Sequence, residues 1–451
     1  MSIADPGPAE PAAAASEEPV GLHLLPDSAE IGPDGHLRIG GVDVVELAAE
    51  HGTPLFVYDE EHLRARCREA VAAFGTGVAY GSKAFLCKAM ARLARDEGMI
   101  LDVATGEEMS VALAGGVSPS GLVLHGNNKS QAEVDAALSL GVHRIVVDSS
   151  HELDRIAFAL SELGPMLAAQ RGGRPVQLAA LLRVTPGVEA HTHEFVATGR
   201  EDTKFGFSLA SGAADAAVEA ARSIEGLELV GAHAHVGSQI FRLEAFEQAV
   251  AVLVPFVKRH GLSELCVGGG LGVAYLDGER ATTISAWAEV VRHACDAAGL
   301  PESVRVTAEP GRAITAGAAI TCYRVGTVKR LPGIRNYVAV DGGMSDNPRP
   351  VLYGSGYEAF LPRAAGAARP LAARVVGKHC ESGDVLVADA RLPADLDVGD
   401  VLATPVTGAY GYSMASNYNR LGRPEVVFVS GGEARVVIRR ERIEDLLRLE
   451  P

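Results

Sequence analysis

Four groups in this chain have the residue types and the setting to do chemistry, and each stands where an apolar segment gives way to a turn. Lys83 closes Val78-Ala79-Tyr80-Gly81-Ser82-Lys83. An ammonium at the end of an apolar strand is costly, and desolvation would lower its pKa and free a neutral amine for imine formation. The plainer reading is a lysine that buries its stem and carries its charge to the rim. Gly268-Gly269-Gly270-Leu271-Gly272 would let backbone N–H groups approach an anion, although a glycine run is often no more than a turn. Glu309-Pro310-Gly311-Arg312 sets a carboxylate beside an arginine, either as a plain ion pair or to hold a proton on a ring nitrogen and bind an oxyanion. His235, ahead of Val236-Gly237-Ser238, offers a flat ring for stacking and a hydroxyl for phosphate; alone it reads as a core histidine. An imine lysine, a phosphate turn, an acid for a pyridine nitrogen and a stacking ring are together the parts of one pyridoxal 5'-phosphate site.

Such groups must be positioned by a repeated scaffold, and the chain carries one. Short β-branched or apolar runs lie at 78–83, 100–105, 122–125, 144–148, 178–185, 229–235, 265–268 and 305–309. Helical stretches follow most of them, among them 107–114, 131–140, 213–222 and 245–259. Eight alternating units predict a (β/α)8 TIM barrel of the α/β class over residues 53–315, whose active site forms where its strands end. Lys83, Asp102, His125, Asp148, Arg183, His233, His235, the glycine turn, Glu309 and Arg312 all fall at those ends. From residue 316 to 451 the texture changes to alternating Val, Tyr and Thr runs at 319–328, 337–340, 372–376, 385–388, 401–405 and 426–429, which predict an all-β domain. Residues 20–52, with Leu37-Arg38-Ile39 and the run 42–45, come too early for the barrel and are expected to pack with that β domain. Residues 1–19 hold four acids and no Lys or Arg, and read as a disordered tail.

The composition excludes several classes of function. A chain of 451 residues, 47% hydrophobic and 22% charged, can bury a large core and calls for more than one domain. A formal charge of −16 argues against nucleic-acid binding, which concentrates basic residues. The six cysteines show no CxxC spacing, so neither a disulfide framework nor a zinc site is expected, and no metal is assigned. No apolar stretch is long enough for a membrane span and the start lacks a signal-peptide layout, so the expected location is the cytoplasm.

Several ordered motifs extend this reading: His191-Thr192-His193-Glu194-Phe195, Lys204-Phe205-Gly206, His233-Ala234-His235-Val236-Gly237-Ser238-Gln239, Glu309-Pro310-Gly311-Arg312, Asp341-Gly342-Gly343-Met344, His379-Cys380-Glu381-Ser382-Gly383-Asp384 and Gly408-Ala409-Tyr410. On these, from about residue 35 onward, the chain resembles the pyridoxal-phosphate decarboxylases that share the alanine racemase barrel, and among them the diaminopimelate decarboxylases. The resemblance implies conversion of meso-2,6-diaminopimelate to L-lysine and carbon dioxide, the last step of lysine biosynthesis. It makes Lys83 the imine lysine, His235 the stacking ring and Glu309 the partner of the pyridine nitrogen. Asp102, Ser238, Gly270, Pro310, Gly311, Arg312 and Tyr410 complete the implied cofactor site. Arg312, Arg349, Tyr353, Glu381 and Tyr410 are the implied substrate shell, and Cys380 the implied proton donor. In this family the cysteine segment serves a neighbouring subunit, so a homodimer with shared sites is implied. Three positions depart from the pattern: Gly411 where a cysteine is common, Pro348 before Arg349, and Gly81-Ser82 before the lysine. They leave room for a paralogue acting on ornithine, a carboxylated polyamine or a D-configured centre. A racemase on the same barrel is disfavoured by Glu309, because racemases use a weaker electron sink. A homologue that kept the fold and lost the chemistry is disfavoured by retention of Lys83, Glu309 and Cys380.

Overall fold

The computed structural model describes residues 17–188 and 202–451, and the chain divides into two compact units. The motif at 191–195 and most of the expected tail lie outside the described residues.

The first unit spans Leu63–Val273 and Ala281–Ala316. Its strands are β1 (Ala79–Gly81), β2 (Ile100–Val103), β3 (Leu122–Leu124), β4 (Arg144–Val147), β5 (Leu178–Thr185), β6 (Leu227–His233), β7 (Glu264–Cys266) and β8 (Arg305–Thr307). Each pairs in parallel with the next. The ring closes where Ala79 donates to the Ala308 carbonyl at 3.0 Å and Gly81 to the Pro310 carbonyl at 3.1 Å. The barrel expected from the eight runs is therefore present, and parallel pairing puts every strand's C-terminal end on one face. Short strands covered on both sides need no polar alternation, which is why they read as apolar runs. Inside, Val123, Val146, Leu181 and Cys266 from β3, β4, β5 and β7 pack into one cluster.

Helices α1 (Lys88–Asp96), α2 (Gly106–Ala114), α3 (Gln131–Leu140), α4 (Ser150–Gln170), α5 (Ala213–Ser223), α6 (Glu244–Arg259) and α7 (Ile284–Ala297) connect the strands. Their starts are set by local chemistry. Thr105 caps α2 by accepting from Glu108 N, and Ser130 with Glu133 forms a reciprocal capping box on α3.

The second unit takes in the chain up to His62, Ala274–Arg280 and Gly317–Pro451. Its long strand β9 (Ala319–Leu331) pairs antiparallel with β10 (Arg335–Val340), with β13 (Val401–Pro405) and with Leu55–Asp59. Beyond β10 lie β11 (Leu371–Val376) and β12 (Val385–Leu392); beyond Leu55–Asp59 lie β14 (Glu425–Ser430) and β15 (Glu433–Ile438). The sequence boundary at residue 53 assigns Leu55–Asp59 to the barrel, but this fully buried strand belongs to the β sheet, held by β9 on one side and β14 on the other. The run at 42–45 is a strand only at Val42–Asp43. Asp43 then accepts from Val45 N and Glu46 N and starts the helix Val44–His51. Among the described residues, no helix is long and apolar enough to cross a membrane.

Candidate active site

At the C-terminal face of the barrel, Glu309 follows β8 and is 8% exposed. Its two oxygens each accept from an imidazole at 2.9 Å, Oε1 from His125 Nε2 and Oε2 from His233 Nε2. His125 follows β3 and His233 ends β6, so the clamp draws three strand ends together. Asp102, in β2, brings a carboxylate oxygen to 3.7 Å from His125 Nε2. Sequence reasoning put both histidines at strand ends but gave them no role. The signal was available, since His233 closes β6 two residues before His235, at a strand end where the barrel's active site forms.

Burial opposes the charged form of every one of these groups, and local partners decide the outcome. Glu309 is nonetheless held well below the usual carboxylate range by His125 and His233. His125 is raised despite burial, because Asp102 and Glu309 both favour its cation. Burial wins at His233, which falls to about 4, and at Asp102, which rises to about 6. Burial and the Lys83 charge hold His235 well below its ordinary value, and its Nδ1 accepts from Gly269 N at 3.2 Å. His235 is therefore a neutral ring with one nitrogen fixed as an acceptor.

Gly268 and Gly270 take left-handed backbone with φ of 67° and 107°. A Cβ at Gly270 would lie 2.1 Å from the Gly237 carbonyl oxygen, so the turn after β7 packs directly on the backbone after β6. Ser238 accepts from the Arg312 guanidinium at 2.9 Å, which leaves the hydroxyl hydrogen able to donate to an anion. Pro310 is buried, and a Cβ at Gly311 would lie 2.7 Å from the Gly81 carbonyl oxygen, so the seam between β1 and β8 admits no side chain there. Lys83 sits in a 3-10 turn, Ser82–Ala84, just past β1. It is exposed, not desolvated as the apolar run suggests, because the chain has left the strand before reaching it. Its charge still acts on Asp102 and His235. These residues fit pyridoxal phosphate: an amine, a buried anion for the ring nitrogen, a neutral ring to stack, and a glycine, serine and arginine cradle for phosphate.

The remaining expected residues lie in the other unit. Arg349 and Tyr353 share the helix Arg349–Tyr353, which begins directly after Pro348, so that departure serves as a helix start. Arg349 is 4% exposed, and its guanidinium lies 4.2 Å from the centre of the Tyr275 ring and bonds to Tyr357 Oη and Ser355 Oγ. Tyr410 is half-buried, has φ of 59° and acts electrostatically on Arg349. Gly411 packs so that a Cβ would lie 2.9 Å from the Thr407 carbonyl oxygen, which accounts for glycine where a cysteine was expected. Cys380 and Glu381 are exposed, whereas the other five cysteines are buried. Their loop is well held: Asp384 accepts from Met344 N at 2.7 Å and His379 N at 2.9 Å, and Asn419 Oδ1 accepts from Cys380 N at 3.3 Å.

Comparison with known proteins shows the family. Residues 60–316 match the family model described as pyridoxal-dependent decarboxylase, pyridoxal binding domain. Diaminopimelate decarboxylase of Mycobacterium tuberculosis is 46% identical over 436 residues, covering 92% of this chain and 95% of that one. The Bacillus subtilis diaminopimelate decarboxylase is 42% identical over 436 residues, with the same coverage of 92% and 95%.

The chain belongs to the diaminopimelate decarboxylase family.

Pyridoxal phosphate is accordingly its cofactor, and the enzyme is a carboxy-lyase. The solved diaminopimelate decarboxylase from M. jannaschii in complex with L-lysine superposes with a TM-score of 0.85 at 31% identity, covering 94% of this chain and 98% of that one.

Proposed function

We propose that this decarboxylase converts meso-2,6-diaminopimelate to L-lysine and carbon dioxide, the last step of lysine biosynthesis. The observation that carries the substrate is Arg349, a buried cation whose described partners are two hydroxyls and two tyrosine rings, with no carboxylate in ion-pair range among the described residues. A buried guanidinium with neutral partners suits an incoming carboxylate, and diaminopimelate keeps one after the other has left. Ornithine offers none to spare.

The chemistry pyridoxal phosphate supplies when bound is capture of an amine at its aldehyde and a pyridinium sink for the electrons that carbon dioxide leaves behind. Lys83 would supply the amine that holds the cofactor's aldehyde. Glu309 would hold a proton at the ring nitrogen, and His235 would offer its neutral ring for stacking. Ser238, Gly270 and Tyr410 would bind the phosphate, and Asp102, Pro310, Gly311 and Arg312 would complete the cofactor site. Arg312, Arg349 and Tyr353 fix the carboxylate that stays, and Glu381 pairs with the distal ammonium. Cys380 delivers the proton to Cα. Cys380 and Glu381 stand exposed on a braced loop, and we propose that they complete the site of a partner subunit in a homodimer. The proposal includes residence in the cytoplasm and no nucleic-acid partner, in keeping with a formal charge of −16.

The test is release of carbon dioxide and lysine from meso-diaminopimelate by the purified holoenzyme, native against Lys83→Ala. Formation of lysine that vanishes in the variant supports both substrate and lysine assignments. A native protein with bound cofactor that releases nothing defeats the substrate assignment and turns the search to ornithine and its relatives.

A further inference from the structure

The cofactor's needs account for Glu309 but not for the charges stacked behind it. Asp102, His125, Glu309 and His233 run in sequence across the ends of β2, β3, β8 and β6, at 9%, 7%, 8% and 1% exposure. His125 Nε2 lies 2.9 Å from Glu309 and 3.7 Å from Asp102, and its ring meets that of His233 edge-to-face at 4.9 Å. We propose that His125 is a positioning residue: an imidazolium held between Asp102 and Glu309 that keeps the Glu309 carboxylate ionised and aimed at the cofactor's ring nitrogen. This rests on the reading above that Glu309 faces that nitrogen.

The argument is one of charge balance. Two carboxylates within reach of one buried ring repel each other unless a cation stands between them, and burial makes that repulsion strong. Arg183 also faces His125, Glu309 and Asp102, but it is engaged by Asp148 at 3.6 Å and by the Phe205 ring at 4.1 Å. Lys83 acts on Asp102 and His235, Glu108 also faces Asp102, and Cys266 and His235 both face Glu309. His125 is thus the cation in direct contact with Glu309. His233 makes the matching bond to the other oxygen but lies beside a single carboxylate, and its Nδ1 has no hydrogen-bond partner among the described residues. That suits a neutral ring, since a bare acceptor is cheaper to bury than a second N–H of a cation. The titration tendencies follow the same asymmetry, upward at His125 and down to about 4 at His233. The two histidines therefore divide the work: His233 orients the carboxylate, and His125 orients it and supplies charge.

The variant that isolates the charge is His125→Asn, which can still donate to Glu309 but carries no charge; His125→Phe removes both. We would measure kcat and KM of the holoenzymes from about pH 6 to about pH 9, cofactor affinity of the stripped proteins over the same range, and histidine 15N NMR of the stripped native protein. For His125→Asn, kcat falls about a hundredfold at neutral pH with little change in KM, the scale of one correctly charged catalytic group. That loss shrinks as pH rises, because Glu309 without its cation ionises only at higher pH, and cofactor affinity shows the same new limb. The NMR signal of His125 shows both nitrogens protonated at neutral pH. A loss of equal size at every pH, or a neutral His125 ring in the native protein, overturns the proposal. If Glu309→Gln leaves kcat and the cofactor spectrum unchanged while His125 is cationic, it is the reading of Glu309 that has failed, and the proposal falls with it.

Discussion

Lys129, four residues beyond His125 in sequence, forms an ion pair with Glu152, and each side chain is 1% exposed. Replacing Lys129 by Met tests how such a pair is held. Lys129 Nζ donates to Glu152 at 2.6 Å, to the Val146 carbonyl at 2.6 Å and to the Gly126 carbonyl at 2.8 Å, so methionine strands two carbonyls and a carboxylate. Burial depresses the lysine and raises the glutamate even with the partner in place, so desolvation outweighs their attraction. Breaking such a pair costs about 3 to 5 kcal/mol. The cost depends on pH. Without Lys129 the folded-state pKa of Glu152 rises further, the folded chain then binds a proton that the unfolded chain has released, and stability falls as pH increases above the ordinary value of 4.5. Adding Glu152→Gln removes the stranded charge and keeps an acceptor for Asp148 N, now bonded at 3.1 Å, so more than half of the loss returns. Urea denaturation of the native chain, the single variant and the double variant at mildly acidic and mildly alkaline pH measures all of this. A single-variant loss below about 1 kcal/mol, or one flat in pH, would refute the reasoning, because that is the behaviour of a solvated surface pair.

Mixing inactive Lys83→Ala and Cys380→Ala subunits restores about a quarter of native activity if sites are shared across a twofold dimer, and none if each subunit completes its own site. Titration of the native protein with a thiol reagent modifies Cys380 rapidly while the five buried cysteines react slowly; a fast phase that survives Cys380→Ser would contradict the burial of the other five. Arg349→Lys raises KM for diaminopimelate by about 10- to 100-fold through loss of a bidentate bond, and a change confined to kcat would count against carboxylate binding. Burial lifts the Asp346 carboxyl from 3.8 to about 7, although Tyr323 Oη donates to it at 2.7 Å. Because that folded-state pKa is raised, this contribution to stability is lost as pH rises across the interval, and Asp346→Asn flattens the slope of melting temperature against pH.

The barrel was legible because its strands are covered on both faces and its helices carry their own start signals, as at Thr105 and Ser130. Periodicity therefore found all eight barrel strands. Leu55–Asp59 shows where that signal stops: all five residues are buried, and a buried strand of one sheet is locally indistinguishable from that of another. Its place was decided by pairing with β9 and β14, whose partners lie hundreds of residues away in sequence. The edge strand β15 was missed for the opposite reason, being largely exposed and without apolar alternation.

The candidate site divides along the same line. Residue types and spacing determined the parts list, from Lys83 through the glycine turn to Glu309 and Arg312, because chemistry selects side chains and backbone freedom selects glycine. The tertiary structure alone decided their states. The ionisation of Glu309 depends on two imidazoles from strands distant in sequence, and the neutrality of His235 on its burial and on the Lys83 charge from another strand end. The exposure of Cys380 depends on Asp384 and Asn419 bracing its loop, and the burial of Arg349 on the tyrosines packed around it. Charge and solvation are set by what surrounds a group in three dimensions, and a linear sequence holds that information only through the fold it produces.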